Sequence, residues 1–315
     1  MTAAIVITEF MDEDAIRGIL ASFDVSYDPA LVDRRDELLA AVAKADALIV
    51  RNRTRVDAAL LERAPKLKAV GRLGVGLDNI DVEACQARGI AVYPATGAND
   101  VAVVEWVIGA MLVLLRGAFA ASGNVIAGEW PRTKLMGREA RDKRLGLVGF
   151  GSIGRKVGAV AAALGMSVCA FDPNIAANDK AWTQPWGKVT ACDLETLLRD
   201  SDVVSLHVPL TDATRNLIDA AAIAGMKHGA ILINAARGGV VDEAALADAL
   251  RSGQLGGGAL DVFVQEPLTK DGGQVFSGCP NLLLTPHIAG VTVEANTRVS
   301  RMVAEKIRDR LAGGL

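Results

Sequence analysis

The sequence holds few of the residues that mark disulfide scaffolds, zinc sites or nucleic-acid proteins. Its four cysteines, Cys85, Cys169, Cys192 and Cys279, are far apart along the chain and form no CxxC pair. That pattern argues against a metal site or a disulfide framework and fits a reducing cytoplasm. Acidic residues outnumber basic ones 37 to 34, and no basic tail or stripe offers a footprint for nucleic acid. The longest apolar run, Trp106–Leu115, falls well short of the ~20 residues needed to cross a bilayer, so no membrane span is expected. The N-terminus passes through Ala-Ile-Val-Ile into Thr8 and then turns acidic, which reads as a first strand rather than a signal peptide. There is no low-complexity tract, short repeat or Pro/Ser-rich linker. Any domain boundary must therefore lie in compact turns, with the glycines of Val92–Asn99 and His287–Gly290 as candidates.

Aromatic residues make up only 4 % of the chain although 51 % is hydrophobic. The apolar mass is thus Ala, Val and Leu, accompanied by many glycines. Aliphatic strands joined by glycine turns are the composition of an α/β protein. At 315 residues the chain exceeds one ordinary core, and about two domains are expected. Strand-like runs fall at Ala3–Thr8, Ala47–Val50, Leu67–Val70, Ile90–Tyr93, Leu145–Val148, Ser167–Phe171, Val203–Leu206, Ala230–Asn234 and Leu282–Leu284. Helical patterns fall at Glu13–Phe23, Leu31–Ala43 and, with an alternating-charge face, Val293–Leu311. This alternation predicts βαβ units and parallel sheets. Asp100–Arg116 is apolar on nearly all sides, which predicts a helix buried between layers, here between two domains.

The strongest local signal is the aliphatic run Leu145–Val148 leading into Gly149-Phe-Gly151-Ser-Ile-Gly154 and then a helix. In a GxGxxG turn the first glycine allows the tight bend, the second lets a pyrophosphate approach the backbone, and the third lets helix and strand pack closely. The helix N-terminus offers N–H groups and a positive dipole end to the phosphates. Asp172 ends the next strand, 18 residues beyond Gly154, where a ribose-binding acid is expected. An acid there accepts from both ribose hydroxyls and repels a 2′-phosphate, so NAD is favoured over NADP. The fingerprint normally opens a dinucleotide domain. Here it starts near residue 145, so something of domain size precedes it.

Six ordered blocks resemble the D-isomer-specific 2-hydroxyacid dehydrogenase family along nearly the full chain: Gly71–Asp81, Gly149–Gly154 with Asp172, Leu206–Thr211 with Thr214, Ile233–Gly239, Ala259–Pro267 and Thr285–Gly290. The resemblance implies two Rossmann-like, doubly wound parallel-sheet domains, the cofactor domain inserted into a flavodoxin-like substrate domain. Residues 1–99 plus 287–315 would form the substrate domain and 100–286 the NAD domain. It also implies a homodimer, a small hydroxy-acid or keto-acid substrate, and cofactor contacts from Gly149, Gly151, Ser152, Ile153, Gly154, Asp172, His207, Val208, Pro209, Thr214, Ala235, Ala236, Asp261 and Gly290.

The same resemblance places a catalytic triad on Arg237, Glu266 and His287. The chemistry is coherent: removing hydride from C2 needs a base for the hydroxyl proton, and histidine titrates nearest neutrality. Glu266 would orient the imidazole and favour its charged form, while Arg237 would clamp the substrate carboxylate with a planar cationic fork. His228, between Lys227 and Gly229, reads as surface, and His207 as lining the cofactor pocket.

The arginines bear on the substrate. Arg51, Arg53, Arg72 and Arg132, with the Val75-Gly76 loop, resemble substrate positions of phosphoglycerate dehydrogenases and exceed what lactate needs once Arg237 holds C1. Excess fixed positive charge points to a second anion on C3, phosphate or sulfonate. The Arg51-Asn-Arg-Thr54 and Ala95–Asp100 loops resemble the sulfolactate dehydrogenase branch, although Pro94 and Thr96 depart from the residues common in that loop. The expectation is oxidation of (S)-3-sulfolactate to 3-sulfopyruvate, with 3-phosphoglycerate as the alternative and no appended regulatory domain. The family also includes NAD-sensing corepressors, a binding role for which this chain has no evident peptide-docking segment.

Overall fold

The computed structural model describes residues 2–313. The chain divides into two compact units, Met1–Asn99 with Gly290–Leu315, and Asp100–Ala289. The return boundary lies three residues later than 286/287, so His287, Ile288 and Ala289 belong to the second unit.

In the first unit, strands β1 (Ala4–Ile7), β2 (Asp24–Tyr27), β3 (Ala47–Val50), β4 (Ala69–Arg72) and β5 (Ala91–Pro94) form an all-parallel sheet in the order β2-β1-β3-β4-β5. That is the flavodoxin-like order. Helices α1 (Glu13–Ile19), α2 (Arg35–Val42), α3 (Ala58–Arg63) and α4 (Val82–Ala87) connect the strands, and the C-terminal helix α11 (Val293–Leu311) returns to the same sheet. Alternating side chains serve two cores. Ile5, Ile7, Ala47 and Ile49 meet Val299, Val303 and Ile307 of α11, whereas Val6, Leu48 and Val50 meet Leu38, Val42, Leu60 and Leu61. The approach of α11 to β4 requires Gly71, because a Cβ there would lie 2.5 Å from Val303 Cγ1.

The second unit carries helices α5 (Asp100–Arg116), α6 (Ser122–Ile126), α7 (Ser152–Ala163), α8 (Leu194–Asp200), α9 (Ala220–Ala224) and α10 (Glu243–Ser252). Its strands are β6 (Arg144–Val148), β7 (Ser167–Phe171), a small antiparallel hairpin of β8 (Thr183–Gln184) and β9 (Gly187–Lys188), β10 (Thr190–Ala191), β11 (Val203–Leu206), β12 (Ala230–Asn234), β13 (Leu255–Leu260) and β14 (Leu282–Leu284). The main sheet is parallel in the order β10-β7-β6-β11-β12-β13-β14. Its first six strands follow the 3-2-1-4-5-6 order of a dinucleotide-binding sheet, whose ligand crevice opens where the order reverses, at the C-ends of β6 and β11. The all-round apolar helix α5 packs on α7, β12 and β13 of this unit. Several helices in both units begin at an aspartate whose carboxylate accepts from a first-turn N–H, among them Asp12, Asp57, Asp81, Asp193, Asp219 and Asp242. Each such cap satisfies a donor that the helix itself leaves orphaned.

Several expectations shift. The first helix stops at Ile19, and Leu31–Ala43 divides into a 3-10 turn, Leu31–Asp33, followed by α2. β4 and β5 sit one or two residues later than Leu67–Val70 and Ile90–Tyr93, and β2, β8, β9, β10 and β13 were not expected. The cysteines are not all apart in space: Cys169 lies on β7 and Cys192 just after β10, which pairs with β7.

Candidate active site

The glycine loop leaves β6 at its C-end. Gly149 has φ +93°, in the region that only glycine occupies easily, and a Cβ on it would lie 2.5 Å from the carbonyl oxygen of His207. Gly154 faces Gly149 the same way, with its Cβ position 2.5 Å from the Gly149 carbonyl oxygen. Gly151 differs: nothing in the protein lies within 4 Å of the Cβ it lacks. The open space at the start of α7 is therefore a cradle, and the N–H groups of the first turn border it. Asp172 stands at the end of β7, half-buried, its carboxylate accepting from the N–H groups of Phe150 (2.9 Å) and Asn174 (3.0 Å). This acid is thereby fixed to the glycine loop itself. These features fit a dinucleotide, with Gly151 and the start of α7 for its pyrophosphate and Asp172 for a ribose.

The Ser152 hydroxyl donates to the buried carboxylate of Asp100, which also takes Lys156 Nζ at 2.7 Å. Ser152 therefore ties α5 to α7 and leaves its backbone N–H for an anion. Ile153 packs against the core beneath. His207 follows β11, its Nε2 3.0 Å from Ser205 Oγ, and its Cδ2 lies 3.6 Å from the Cβ position of Gly154. Burial pushes its imidazole down to about 4, so the ring is neutral at neutral pH and lines the loop. Thr214 Oγ1 donates to Pro209 O at 2.6 Å and accepts from Thr211 N at 2.7 Å, closing the turn after Val208. His228 is exposed.

The three candidate catalytic residues, Arg237, Glu266 and His287, lie on the loops that follow β12, β13 and β14. Asn234, buried at the end of β12, accepts from Ala236 N (3.0 Å) and donates to Arg237 O (2.9 Å), which sets the Ala235–Arg237 turn. Gly238 permits the next step, because a Cβ there would overlap Phe263 O at 1.8 Å. Glu266 Oε1 accepts from Phe263 N at 3.0 Å, and its Oε2 lies 2.6 Å from His287 Nδ1. Burial by itself would raise the Glu266 carboxyl. The hydrogen bond and charge of His287, the Phe263 N–H and the nearby Arg237 outweigh it and hold the group below its ordinary range. With Glu266 ionised, Nδ1–H donates to it, and the lone pair of the imidazole is left on Nε2.

His287 adopts φ +53°, uncommon for a residue with a side chain. Asp261, 1 % exposed, accounts for this backbone. Its carbonyl accepts from His287 N at 2.8 Å; its Oδ1 accepts from Thr285 Oγ1 (2.5 Å) and Ile288 N (2.8 Å); its Oδ2 accepts from Ala289 N (2.7 Å). Burial raises the Asp261 carboxyl against the pull of these donors. Asp261, expected at the cofactor or as a turn-forming residue, holds the histidine loop in place.

Of the four candidate substrate arginines, Arg51 and Arg72, both in the first unit, are buried, and Arg53 and Arg132 are exposed. Arg51 is 6 % exposed, with Nε donating to Phe10 O (3.2 Å), Nη2 to Asn296 Oδ1 (2.5 Å), and its guanidinium carbon 3.6 Å above the Phe10 ring. Burial, together with the charge of nearby Arg72, lowers it to about 10, so it remains a cation at neutral pH. Arg72 donates to Leu73 O at 2.9 Å, its guanidinium lying in room that Gly74 leaves open. Arg53 instead pairs with Asp33 on the surface. Arg132, in the second unit, lies on an exposed segment. Glu9 had no sequence signal, yet its buried carboxylate accepts the N–H groups of Arg51, Arg53 and Thr54 and so shapes that loop. No cluster of metal-ligating side chains occurs among the described residues.

Comparison with known proteins gives the same picture. The chain is 53 % identical over 98 % of its length to (S)-sulfolactate dehydrogenase of Chromohalobacter salexigens, 98 % of which is covered. It is 40 % identical over 99 % of its length to D-3-phosphoglycerate dehydrogenase of Methanocaldococcus jannaschii, covering 58 % of that longer protein. Among solved structures, D-lactate dehydrogenase of Aquifex aeolicus in complex with NAD and lactic acid superposes with a TM-score of 0.85 at 27 % identity, with 98 % of this chain and 96 % of that one covered. Residues 108–289 match the family model for the NAD binding domain of D-isomer specific 2-hydroxyacid dehydrogenases. Its cofactor is NAD, and the chain belongs to the D-isomer specific 2-hydroxyacid dehydrogenase family.

Proposed function

We propose that the chain oxidises a small 2-hydroxy acid that carries a second anion at C3, with (S)-3-sulfolactate going to 3-sulfopyruvate as the leading substrate. The observation that carries the chemistry is the 2.6 Å pair between His287 Nδ1 and Glu266 Oε2. It fixes the tautomer whose Nε2 accepts the C2 hydroxyl proton as C2–H departs as hydride. NAD supplies the hydride acceptor when bound. Glu266 stabilises the resulting imidazolium, and in reverse His287 returns the proton to the carbonyl oxygen. Arg237, half-buried on its tight turn, holds the C1 carboxylate in a bidentate grip. Asp261, Val208, Pro209, Thr214, Ala235, Ala236 and Gly290 border the cofactor.

The C3 anion is assigned to Arg51 and Arg72, two buried cations in the first unit. Arg53 is compensated by Asp33 and is a weaker partner. The relative from Chromohalobacter, named for sulfolactate, supports the sulfonate; the phosphoglycerate-named relative keeps a C3 phosphate as the second reading. NAD reduction followed with (S)-sulfolactate, D-3-phosphoglycerate and D-lactate tests this. The expected order places sulfolactate first in kcat/KM and lactate last, and a lactate preference would remove the C3-anion reading.

A homodimer is the further proposal. Phe119, Ile126, Trp130 and Met136 are 66 %, 87 %, 74 % and 81 % exposed within one stretch of the second unit. This apolar exposure supports an interface with a second copy of the chain. A cytoplasmic setting accords with four free cysteines. Among the described residues no helix is long and apolar enough to cross a membrane.

A further inference from the structure

We infer that Asn296 is a positioning residue for substrate choice: it fixes the Arg51 guanidinium through a neutral amide and so leaves the arginine's charge available to the C3 anion. This rests on the assignment of Arg51 made above. Asn296 lies in the first turn of α11, next to Ala295, which is fully buried. The amide is thus delivered by a packed element. Its Oδ1 takes Nη2 at 2.5 Å, while Phe10 takes Nε through its carbonyl and supports the guanidinium face with its ring. Nη1 has no hydrogen-bond partner among the described residues and is the nitrogen left for a ligand.

Neither carboxylate of this region hydrogen-bonds the Arg51 fork, and Glu9 acts on it through its charge alone. Glu9 places its oxygens on the backbone N–H groups of Arg51, Arg53 and Thr54. Asp12 caps α1 and accepts from Thr297 Oγ1 at 3.0 Å. The one side chain that hydrogen-bonds the fork among the described residues is therefore uncharged. A carboxylate at position 296 would hold the fork as firmly but would cancel its charge in a poorly solvated place, and little attraction for a sulfonate or phosphate would remain. The amide restricts the geometry without that cancellation, in contrast to Arg53, whose fork rests on Asp33.

The test compares Asn296→Asp, Asn296→Ala and Arg51→Ala with the wild type, measuring KM and kcat separately on (S)-sulfolactate and D-lactate. Arg301→Ala, on the exposed face of the same helix, is the control. Asn296→Asp is expected to lower the sulfolactate-to-lactate selectivity about tenfold or more, mainly through KM for sulfolactate. Asn296→Ala should fall between it and the wild type, and supplies the comparison if the aspartate variant does not fold. Selectivity retained in both variants, or equal losses on both acids, overturns the inference. A wild type without preference for sulfolactate strikes the assignment of Arg51 and the inference with it. A preference that Arg51→Ala abolishes but Asn296→Asp preserves strikes Asn296 alone.

Discussion

His287 Nδ1 sits 2.6 Å from Glu266 Oε2, and this contact sets which ring nitrogen can act as base. In Glu266→Gln the amide can still accept from Nδ1–H but does not stabilise the imidazolium. The turnover number should fall on the order of a hundredfold with the KM for NAD little changed. Stability should respond to pH as well. The folded-state carboxyl is held below the ordinary glutamate value of 4.5, so its stabilisation is complete above that value and is lost as pH falls through the folded one. Thermal midpoints of wild type and Glu266→Gln should therefore differ most at neutral pH and converge in acid. A gap that widens in acid would contradict the pairing.

Asp261 shapes the backbone of the histidine loop. Asp261→Asn replaces one acceptor with an N–H₂ group that cannot accept from Ala289 N and Ile288 N together. A destabilisation of roughly 1–3 kcal/mol is expected for the buried donor left unmet. Activity should drop more than NAD affinity does, because the positive-φ geometry at His287 loses its support. Denaturant melts and steady-state rates on the same variant separate the two effects.

Two glycines of the phosphate loop should respond in opposite ways to the same change. Gly151→Ala adds a methyl group that meets no protein atom, so the thermal midpoint without NAD should stay near wild type while NAD affinity falls at least tenfold. Gly149→Ala meets the His207 carbonyl at 2.5 Å from a φ of +93°, so the unliganded protein itself should lose stability. Calorimetry of NAD binding beside thermal melts reads both. Tight NAD binding by Gly151→Ala would show that the pyrophosphate is not held there.

His207 should leave a mark on acid stability. Its folded value lies near 4 against an ordinary 6.5, so between those values the unfolded chain binds a proton that the folded one does not. Stability then falls as pH drops from 6.5 towards 4. His207→Gln should remove that part of the slope, which urea melts at pH 7, 5.5 and 4.5 can resolve. An unchanged slope would indicate that the ring is charged in the folded state.

Much of this was readable in the residues, and the gaps have physical reasons. β6, β7, β11 and β12 announce themselves because a strand buried on both faces is a continuous aliphatic run. β13 does not: Leu255-Gly-Gly-Gly-Ala-Leu260 looks like a turn, yet its glycines are compelled by neighbours. A Cβ on Gly256 would meet the Gly229 carbonyl at 2.5 Å, and one on Gly257 would meet Asn281 Nδ2 at 2.6 Å. β2, Asp24–Tyr27, is an edge strand with alternating exposure and too short a pattern to stand out. The pairing of Glu266 with His287 was legible through their blocks. The clamp of Asp261 on residues 285–289, the seat of Arg51 on Asn296 and the engagement of Arg53 with Asp33 were not, because each depends on a backbone or side-chain direction that spacing does not encode.

The most direct test of the account follows the C2 hydrogen. (S)-Sulfolactate deuterated at C2 is oxidised with NAD, and the reduced cofactor is analysed by mass spectrometry in wild type and Glu266→Gln. One deuterium is expected in each reduced cofactor in both proteins, with a lower kcat/KM for the deuterated acid. Reduced cofactor without deuterium, or no reduction of NAD by sulfolactate, would contradict it.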